Sequence, residues 1–486
     1  MLVMDDTRGL AISVEGVTLV VDLDDTLIHT DMLLETFWAA ISVRWLNIIP
    51  AMRALFKGKA AFKRALEEMG TVSPELLPYN QEVIRYIEDW RSRGGRTALV
   101  SASDQRVVDK IASHLELFDE VCGSDGVRNL KGPNKAAHLN DTYGKGGFVY
   151  IGDAEADLDI WRDAACAVTV DVSASLAARV DDQAARVEHL TTRGSRLKPL
   201  IKAMRPHQWL KNVLVFLPMM AAHQFNLVTI GQAMLGFVVF SLVASSVYLL
   251  NDLLDLAADR VHPRKRLRPF ASGDLPLLWG TLIAPALLIV GFALALLLNL
   301  QFVGVMLFYY AVTTAYSFWL KRELIVDICT LAGLYTLRII AGGVATGIPL
   351  SVWLLAFSIF FFLSLAAMKR QAELKASQAA GQRKAHGRGY QTTDLPLIAN
   401  MAVSSGYVSV LVMALYLNTD AVSGLYSNPA PLWGICLVLL YWLSRMVMIS
   451  HRGWMHDDPV VFAARDRISI ICALFIFGFA VLGALW

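Results

Sequence analysis

Cysteine is scarce and scattered in this chain: Cys122, Cys166, Cys329, Cys436 and Cys472 are its five, and no two form a C-x-x-C pair. That distribution excludes a disulfide framework and a thiolate zinc site, and it fits a reducing compartment. Charge is also sparse. Asp, Glu, Lys and Arg make up 18% of 486 residues against 55% hydrophobic ones, too little charge for a wholly soluble protein. A formal net charge of +2 leaves no basic surplus of the kind that binds nucleic acid. The opening run MLVMDDTRGLAISVEG lacks the basic start and apolar core of a secretory signal, which predicts a first domain that stays in the cytoplasm. A further absence lies downstream, where the segments GGVATGIPLS and LNTDAVSGLYSNPAP contain no Lys or Arg.

What is present divides in two. Up to about residue 200, short β-rich runs (VTLVVDL, RTALVSAS, GFVYIGD, CAVTVDV) alternate with helical stretches, the pattern of a parallel α/β domain. Beyond the basic stretch TTRGSRLKPLIKAMRPHQWLKN the chain turns apolar. About nine segments, near 210–224, 229–250, 278–299, 301–318, 324–345, 352–369, 396–416, 430–450 and 468–486, are each about long enough to span a bilayer. The expected domains are therefore 1–195 and 196–486.

Basic residues test this topology. The loops after the second, fourth, sixth and eighth segments contain Arg260, Arg264, Lys265, Arg266 and Arg268, then Lys321 and Arg322, then Lys369, Arg370, Lys375, Arg383, Lys384 and Arg388, then Arg445, Arg452, Arg465 and Arg467. The alternate loops contain none of these. This asymmetry predicts an integral protein of the inner (cytoplasmic) membrane, with the N-terminal domain and the basic loops on the cytoplasmic side.

In the first half, VVDLDDTL places Asp22 and Asp24 just after an apolar strand, with Thr26 following. Two carboxylates at that spacing converge at a strand end, where one can attack phosphorus while the other handles a proton, and phosphate charge calls for Mg²⁺. Three further pieces follow in order: Ser101 in LVSAS, Lys135 in NKAAHL, and Asp153 with Asp157 in YIGDAEADLD. Over residues 15 to 190 the sequence resembles the haloacid-dehalogenase-like phosphatases. The resemblance implies a Rossmann-like α/β fold with a helical cap at about 31–80. It further implies that Asp22 forms an aspartyl-phosphate, that Asp24 is general acid and base, and that Ser101 and Lys135 bind the phosphoryl group. Asp153 and Asp157, with Asp22 and Asp24, are the implied Mg²⁺ site. Lys131, in NLKGPNK, competes with Lys135 for the lysine role.

The cap region reads LLETFWAAISVRWLNIIPAMRALF, apolar with Trp38 and Trp45 and with Arg44, Arg53 and Lys57 nearby, as an interface-lying helix would. Packing of that apolar face on the domain core explains the same composition. On the membrane reading, the substrate is a lipid phosphate or a lipid-linked sugar phosphate.

After the second span comes YLLNDLLDLAADRVHPRKRLRPFASGDL. Asp252, Asp255 and Asp259 fall on one helix face, with Asn251 beside them as a candidate substrate ligand, and three stacked carboxylates at a membrane edge are stable only with a cation among them. Mg²⁺ bridging them to a diphosphate is the natural occupant, with Arg260, Arg264, Lys265, Arg266 and Arg268 covering the remaining phosphate oxygens. This N-D-x-x-D-x-x-x-D pattern, with R-P-x-A-S-G after it, resembles the UbiA prenyltransferase superfamily over residues 200 to 486, which implies an all-α membrane bundle of about nine helices. Members of that superfamily use a second acidic motif, D-x-x-x-D, in a later loop. Here that loop offers Asp327 but has Leu331 where the second aspartate belongs, with Glu323 four residues ahead.

Several runs (RPHQWLKN, HPRKRLRPFASG, YSFWLK, LAAMKRQAEL, DDPVVFAARDR) are similar to the decaprenyl-phosphate phosphoribosyltransferase branch. That resemblance implies 5-phosphoribosyl 1-diphosphate as donor and a polyprenyl phosphate as acceptor, with Asp252 and Asp255 at the catalytic centre. Lys211, Asn212, Tyr316, Lys321, Asp327, Arg338 and Lys369 are the further candidates for binding substrate, and Lys211, Lys369 and Arg370 could bind either phosphate. The joint expectation is a bifunctional enzyme that makes polyprenyl-phosphoryl 5-phosphoribose and then removes its 5-phosphate. An aromatic prenyltransferase using a polyprenyl diphosphate, with a phosphatase for an unrelated phosphate, is the alternative. A homo-oligomer is compatible with either.

Overall fold

The structure is a computed structural model that describes residues 14–124, 130–384, 388–455 and 458–485. The opening run through Ser13, and Asp457 of the DDPVVFAARDR run, lie outside the described residues. The chain divides into two compact units, Met1–Ala203 with Leu249–Ile283, and Met204–Tyr248 with Ala284–Trp486.

The first unit is built on six strands: β1 (Thr18–Val21), β2 (Arg96–Asp104), β3 (Glu120–Ser124), β4 (Phe148–Gly152), β5 (Cys166–Val170) and β6 (Val187–Leu190). All pairings are parallel and the order is β3-β2-β1-β4-β5-β6. Helices cover both faces, which is why the strands read as unbroken apolar runs. Alternation along each strand sorts the side chains. Leu19, Val21 and Leu99 pack with Ile87, Trp90 and Ile111 on one face, while Val20, Ala98 and Tyr150 pack with Leu139, Ile160 and Trp161 on the other. The strand order reverses at β1, and the crevice at the carboxyl ends of β1 and β4 is where a doubly wound sheet binds its ligand. Asp22 and Asp153 each directly follow one of these two strands.

The stretch after β1 turns sharply, with Asp25 in the left-handed region at φ 53°, and then inserts three helices, Met32–Val43, Ile48–Phe56 and Lys59–Met69. Ala40, Ala51 and Leu66 make their shared core with Phe37, Phe62 and Met69 around them. The outer side of Ile48–Phe56 exposes Ile48, Ile49, Met52, Leu55 and Phe56, the last 88% exposed, and Trp45 is exposed just before it. Trp38 departs from the expected interfacial role: it is 7% exposed, and its indole N–H donates to Thr281 Oγ1 at 3.0 Å.

That contact belongs to a larger junction inside the first unit, where 249–283 packs against the inserted helices. Arg260 donates from both terminal nitrogens to Glu35, at 3.0 and 2.6 Å, and both side chains are buried. Thr30 Oγ1 also donates to Glu35, at 2.8 Å, and Arg260 Nε donates to the Ala271 carbonyl at 3.1 Å. The glycine of R-P-F-A-S-G has its reason here. Gly273 has φ 79°, and a Cβ on it would lie 2.5 Å from that of His29.

The rest of the chain is helical. Seven helices are long and apolar enough to cross a membrane among the described residues: Leu227–Leu254, Leu277–Ala295, Val326–Thr346, Val352–Ala379, Thr392–Leu417, Ala430–His451 and Arg467–Leu485. Leu300–Phe318 is a helix of 19 residues, diluted in apolar character by its Tyr and Thr residues. The first expected span, near 210–224, is instead a 3-10 helical run, Pro206–Phe216, followed by the short helix Leu217–Ala221. Pro206 and Pro218 each stand in the first turn of these pieces, where a missing backbone N–H is tolerated. In the second unit this run lies close against Val326–Thr346, where a Cβ on Gly342 would fall 2.1 Å from the Val215 carbonyl oxygen.

The Glu35–Arg260 pair can be tested by removing one partner and then both. Glu35→Ala leaves a buried guanidinium unpaired and is expected to cost about 3–5 kcal/mol. Adding Arg260→Met should recover most of the loss, because two apolar side chains leave no stranded charge. Thermal unfolding of the detergent-solubilised protein reads both effects; a double variant no more stable than Glu35→Ala would refute the assignment.

Candidate active sites

The first site lies at the carboxyl ends of β1 and β4. Asp22, Asp153 and Asp157 bring carboxylate oxygens within 4.8 Å of one another, the one such three-ligand group among the described residues. Lys135, at the start of helix Pro133–Tyr143, lies 2.8 Å from Asp22 Oδ2, while Lys131 is exposed. Lys135 also donates to Tyr150 OH at 3.0 Å. That hydroxyl lies 3.1 Å from Asp157 and 3.3 Å from Asp22. Thr26 Oγ1 donates to Asp153 at 3.2 Å.

Three carboxylates and one lysine leave negative charge in excess, and the titration of the site reflects it. Burial, with Asp22, Asp25 and Asp157 around it, holds Asp153 well above the usual carboxylate range. Burial and Asp22 push Asp157 up to about 6. Burial alone would lower Lys135, but Asp22 and Asp157 outweigh it and raise the ammonium above its ordinary value. A hard divalent cation bound through oxygen relieves this repulsion, so the donor set fits one.

Asp24 faces away from that group. Its carboxylate accepts from the Met32 amide at 2.8 Å and from Ser103 Oγ at 3.0 Å, and burial, then Asp31 and Asp22, push it up to about 7. It can thereby both hold and release a proton near neutral pH. Ser101 is fully buried and its Oγ accepts from the Ser103 amide at 3.0 Å. Ser103 and Tyr150 were not anticipated. The first repeats Ser101 on the same strand face two residues on, a visible signal; the second reads as one more apolar strand residue.

The second site is the acidic loop of the first unit. The helix ends at Leu254 and resumes at Leu256, so Asn251, Asp252, Asp255 and Asp259 do not lie on one continuous helix. Arg268 nonetheless draws two of them together, donating to Asp252 at 3.1 Å and to Asp259 at 2.6 Å. Lys265 Nζ lies 3.9 Å from Asp259 Oδ1, a buried oxygen with no hydrogen-bond partner. Asp255 is half-buried, with its amide bonded to the Asn251 carbonyl at 2.9 Å. An orphaned carboxylate oxygen beside buried Asp252 fits a cation ligand. Arg260 points elsewhere, to Glu35.

In the second unit two clusters form. Lys211 and Lys369 donate to Asp458 Oδ2 at 2.7 and 3.2 Å, and Tyr335 donates to Asp458 Oδ1 at 2.8 Å. Behind them Arg338 Nε donates to Asn212 at 3.0 Å, and Asn212 donates to Ser241 at 3.1 Å. In the other cluster Asp327 is fully buried and bonded to Tyr316 OH at 2.7 Å, to Arg388 at 3.1 Å and to Arg370. Lys321 sits in the neighbouring turn Leu320–Arg322, and its carbonyl accepts from Arg388 at 3.5 Å. Asp458 and Arg388 carried no separate signal in the sequence, one within an acidic run and the other within a basic loop.

Comparison with known proteins adds two families and a set of relatives. The UbiA prenyltransferase family matches residues 212–471 and the haloacid dehalogenase-like hydrolases match residues 19–162. A Sinorhizobium fredii protein, y4nM, is 40% identical over 458 residues, 93% of this chain and 88% of that one. Nodulation protein NoeC of Azorhizobium caulinodans is 37% identical over 276 residues, 56% of this chain and 89% of that one. Decaprenyl-phosphate phosphoribosyltransferase of Mycobacterium tuberculosis is 36% identical over 283 residues, 57% of this chain and 90% of that one. This integral membrane chain therefore belongs to the UbiA prenyltransferase family and carries a haloacid dehalogenase-like hydrolase domain ahead of its transferase domain.

Proposed function

We propose that the membrane domain transfers 5-phosphoribose from 5-phosphoribosyl 1-diphosphate to a polyprenyl phosphate, and that the N-terminal domain removes the 5-phosphate from the lipid-linked product. The surroundings of Asp327 carry the transferase half of this reading. Where a second acidic motif would gather a second metal, Asp327 is bonded by Arg370, Arg388 and Tyr316, and Leu331 stands in place of the partner carboxylate. Such a centre suits phosphate groups rather than another cation. The name of the M. tuberculosis relative agrees with that chemistry.

Mg²⁺ is the proposed cofactor of both sites, held by Asp22, Asp153 and Asp157 in one and by Asp252, Asp255 and Asp259 in the other, where it neutralises phosphate charge. In the transfer, the anomeric C–O bond to diphosphate breaks and an oxygen of the lipid phosphate attacks the opposite face of the sugar. That nucleophile is already anionic at neutral pH and needs no general base. Arg268 and Lys265 lie beside the carboxylates to bind the leaving diphosphate, and Lys211, Lys369 and Arg338 are the groups proposed to bind the second phosphate.

In the hydrolysis, an oxygen of Asp22 attacks phosphorus and the ester P–O bond breaks. Asp24 gives its proton to the leaving sugar oxygen. Asp24 then takes a proton from water as that water cleaves the aspartyl-phosphate, releasing inorganic phosphate and restoring Asp22. Lys135 and Ser101 hold the phosphoryl oxygens. The exposed apolar side of Ile48–Phe56, flanked by Arg53 and Lys57, supports a lipid-linked substrate, since such a surface lies in a membrane interface.

Three measurements test these assignments. Purified protein given radiolabelled 5-phosphoribosyl 1-diphosphate, Mg²⁺ and a polyprenyl phosphate should move label into the organic phase, and Asp22→Asn should leave the 5-phosphate on that lipid. Labelling absent with the ribosyl donor but present with a prenyl diphosphate and an aromatic acid would make the protein an aromatic prenyltransferase instead. Chelation should stop both reactions, and Asp153→Asn should raise the Mg²⁺ concentration needed for the phosphatase alone by about tenfold or more. The proposed orientation, with basic loops and N-terminal domain in the cytoplasm, predicts that in intact cells an impermeant thiol reagent labels Ser427→Cys and spares Lys384→Cys; the reverse would invert the topology.

A further inference from the structure

A helix on the surface of a soluble domain turns its large apolar side chains to the core; Ile48–Phe56 does the reverse. Its small residue Ala51 packs inward with Leu66, while Ile48, Ile49, Met52, Leu55 and Phe56 are all exposed. At spacings of three and four these five form one stripe. Val43 and Trp45, exposed just before the helix, extend it. A contiguous apolar surface of this kind on a folded protein marks a contact with something apolar.

Charge and position identify the partner. Between Glu35 and Glu67 the chain has no acidic residue, but it has Arg44, Arg53, Lys57, Lys59, Lys63 and Arg64. Lys63 is taken up by the Ala102 carbonyl and Arg64 by Glu68. Arg44, Arg53 and Lys57, next in sequence to Trp45, Met52 and Phe56, are exposed, and none of the three has an ion-pair partner among the described residues. A two-fold contact with a second copy of this chain would bring these cations together, whereas anionic headgroups would neutralise them. The position comes from the preceding helix, Met32–Val43, whose Trp38 indole is bonded to Thr281 at 3.0 Å. Thr281 lies in the second turn of Leu277–Ala295, a helix long and apolar enough to cross a membrane, and Leu278 and Leu282 beside it are exposed. At about 1.5 Å per residue it stands about 6 Å along that helix, within the depth of a bilayer interface. The inserted helices are therefore pinned at the end of a span, level with the membrane surface.

We propose that the exposed face of Ile48–Phe56 is inserted in the bilayer interface, with Trp45 and Phe56 among the upper chain segments and Arg44, Arg53 and Lys57 on anionic phospholipid headgroups. This goes beyond the function proposed above, which asks only for a lipid-linked substrate: it makes bilayer lipid a standing partner of the inserted helices, with or without turnover. Helix Met32–Val43, whose first amide holds Asp24, leads directly into this face. Docking therefore keeps the phosphatase crevice at the surface where a lipid-borne ester is found.

The experiment uses the full chain in vesicles and reads depth rather than turnover, so its failure is distinct from failure of the phosphatase reading. In a Cys122→Ser, Cys329→Ser background the other thiols are buried. Phe56→Cys, at a side chain 88% exposed, takes a fluorophore there, and Ser92→Cys, exposed ahead of the amino end of β2, serves as the control. In mixed phosphatidylglycerol and phosphatidylcholine, a nitroxide on the lipid chains should quench the label at position 56 about threefold more than the label at position 92. In phosphatidylcholine alone, or with Arg44→Gln, Arg53→Gln and Lys57→Gln together, that excess should fall by about half or more. Equal lipid quenching at the two positions overturns the insertion. Aqueous iodide would then tell a helix facing solvent, which it quenches, from one covered by a second copy, which it does not. An excess that is the same in both bilayers overturns the assignment of anionic headgroups.

Discussion

A carboxylate taken out of water must meet a cation or give up its charge, and most of the polar architecture of this chain follows from that constraint. Glu35 has Arg260, Asp327 has Arg370 and Arg388, and Asp458 has Lys211 and Lys369. Arg268 serves Asp252 and Asp259 together. At the first three of these the side-chain cation accounts for the burial of its carboxylate, whereas Arg268 is shared by two and leaves Asp259 Oδ1 without a hydrogen bond. The group formed by Asp22, Asp153 and Asp157 differs in having three carboxylates against Lys135 alone. There the compensation is incomplete, and burial holds Asp153 and Asp157 in favour of their protonated forms. An added cation would favour the charged carboxylates and would offset the charge of an incoming phosphate, as the proposed phosphoryl chemistry requires.

Asp24 solves the opposite problem. It has no lysine or arginine among its hydrogen-bond partners; a backbone amide and a serine hydroxyl hold it in place while burial raises it to about 7. Two aspartates separated by one residue thus meet different surroundings, one turned toward Lys135 and the other toward a backbone amide and a serine hydroxyl. The turn that follows β1, with Asp25 in the left-handed region, produces that divergence; strand alternation would put two residues two apart on one face. The sequence spacing alone implies only that two carboxylates are close.

That difference marks how far the chain was legible from its sequence. Strands buried on both faces announce themselves as unbroken apolar runs, so the sheet and the motif residues at its strand ends could be read directly. Helices long enough to cross a membrane could be read in the same way, except near 210–224, where a 3-10 run and a short helix stand instead. Contacts between distant segments were not legible. Nothing local to Arg260 distinguishes it from Arg264 or Arg266, yet it alone of the three meets Glu35, from which it is separated by 225 positions. Trp38 and Trp45 read alike as interfacial, and only packing separates the buried one from the exposed one. Tyr150 was hidden for the related reason that a tyrosine in a buried strand looks apolar until its hydroxyl is placed beside Lys135, Asp22 and Asp157.

The Glu35–Arg260 pair links these observations to the chemistry. Asp24 is held by the amide of Met32, the first residue of the helix Met32–Val43, and Glu35 stands one turn further along the same helix. Whatever fixes Glu35 therefore helps fix the amide that orients Asp24. Arg260 lies one residue after Asp259 and reaches Glu35 with two hydrogen bonds, a geometry that tolerates little sliding or rotation. The carboxyl group proposed to move the proton in the hydrolysis and the carboxylates proposed to hold metal in the transfer are thus tied to opposite ends of one buried ion pair. Loosening that pair would disturb both proposed reactions together. On the proposed function, such a link would keep the loop that helps form the product and the domain that trims it in a fixed register within one folded unit.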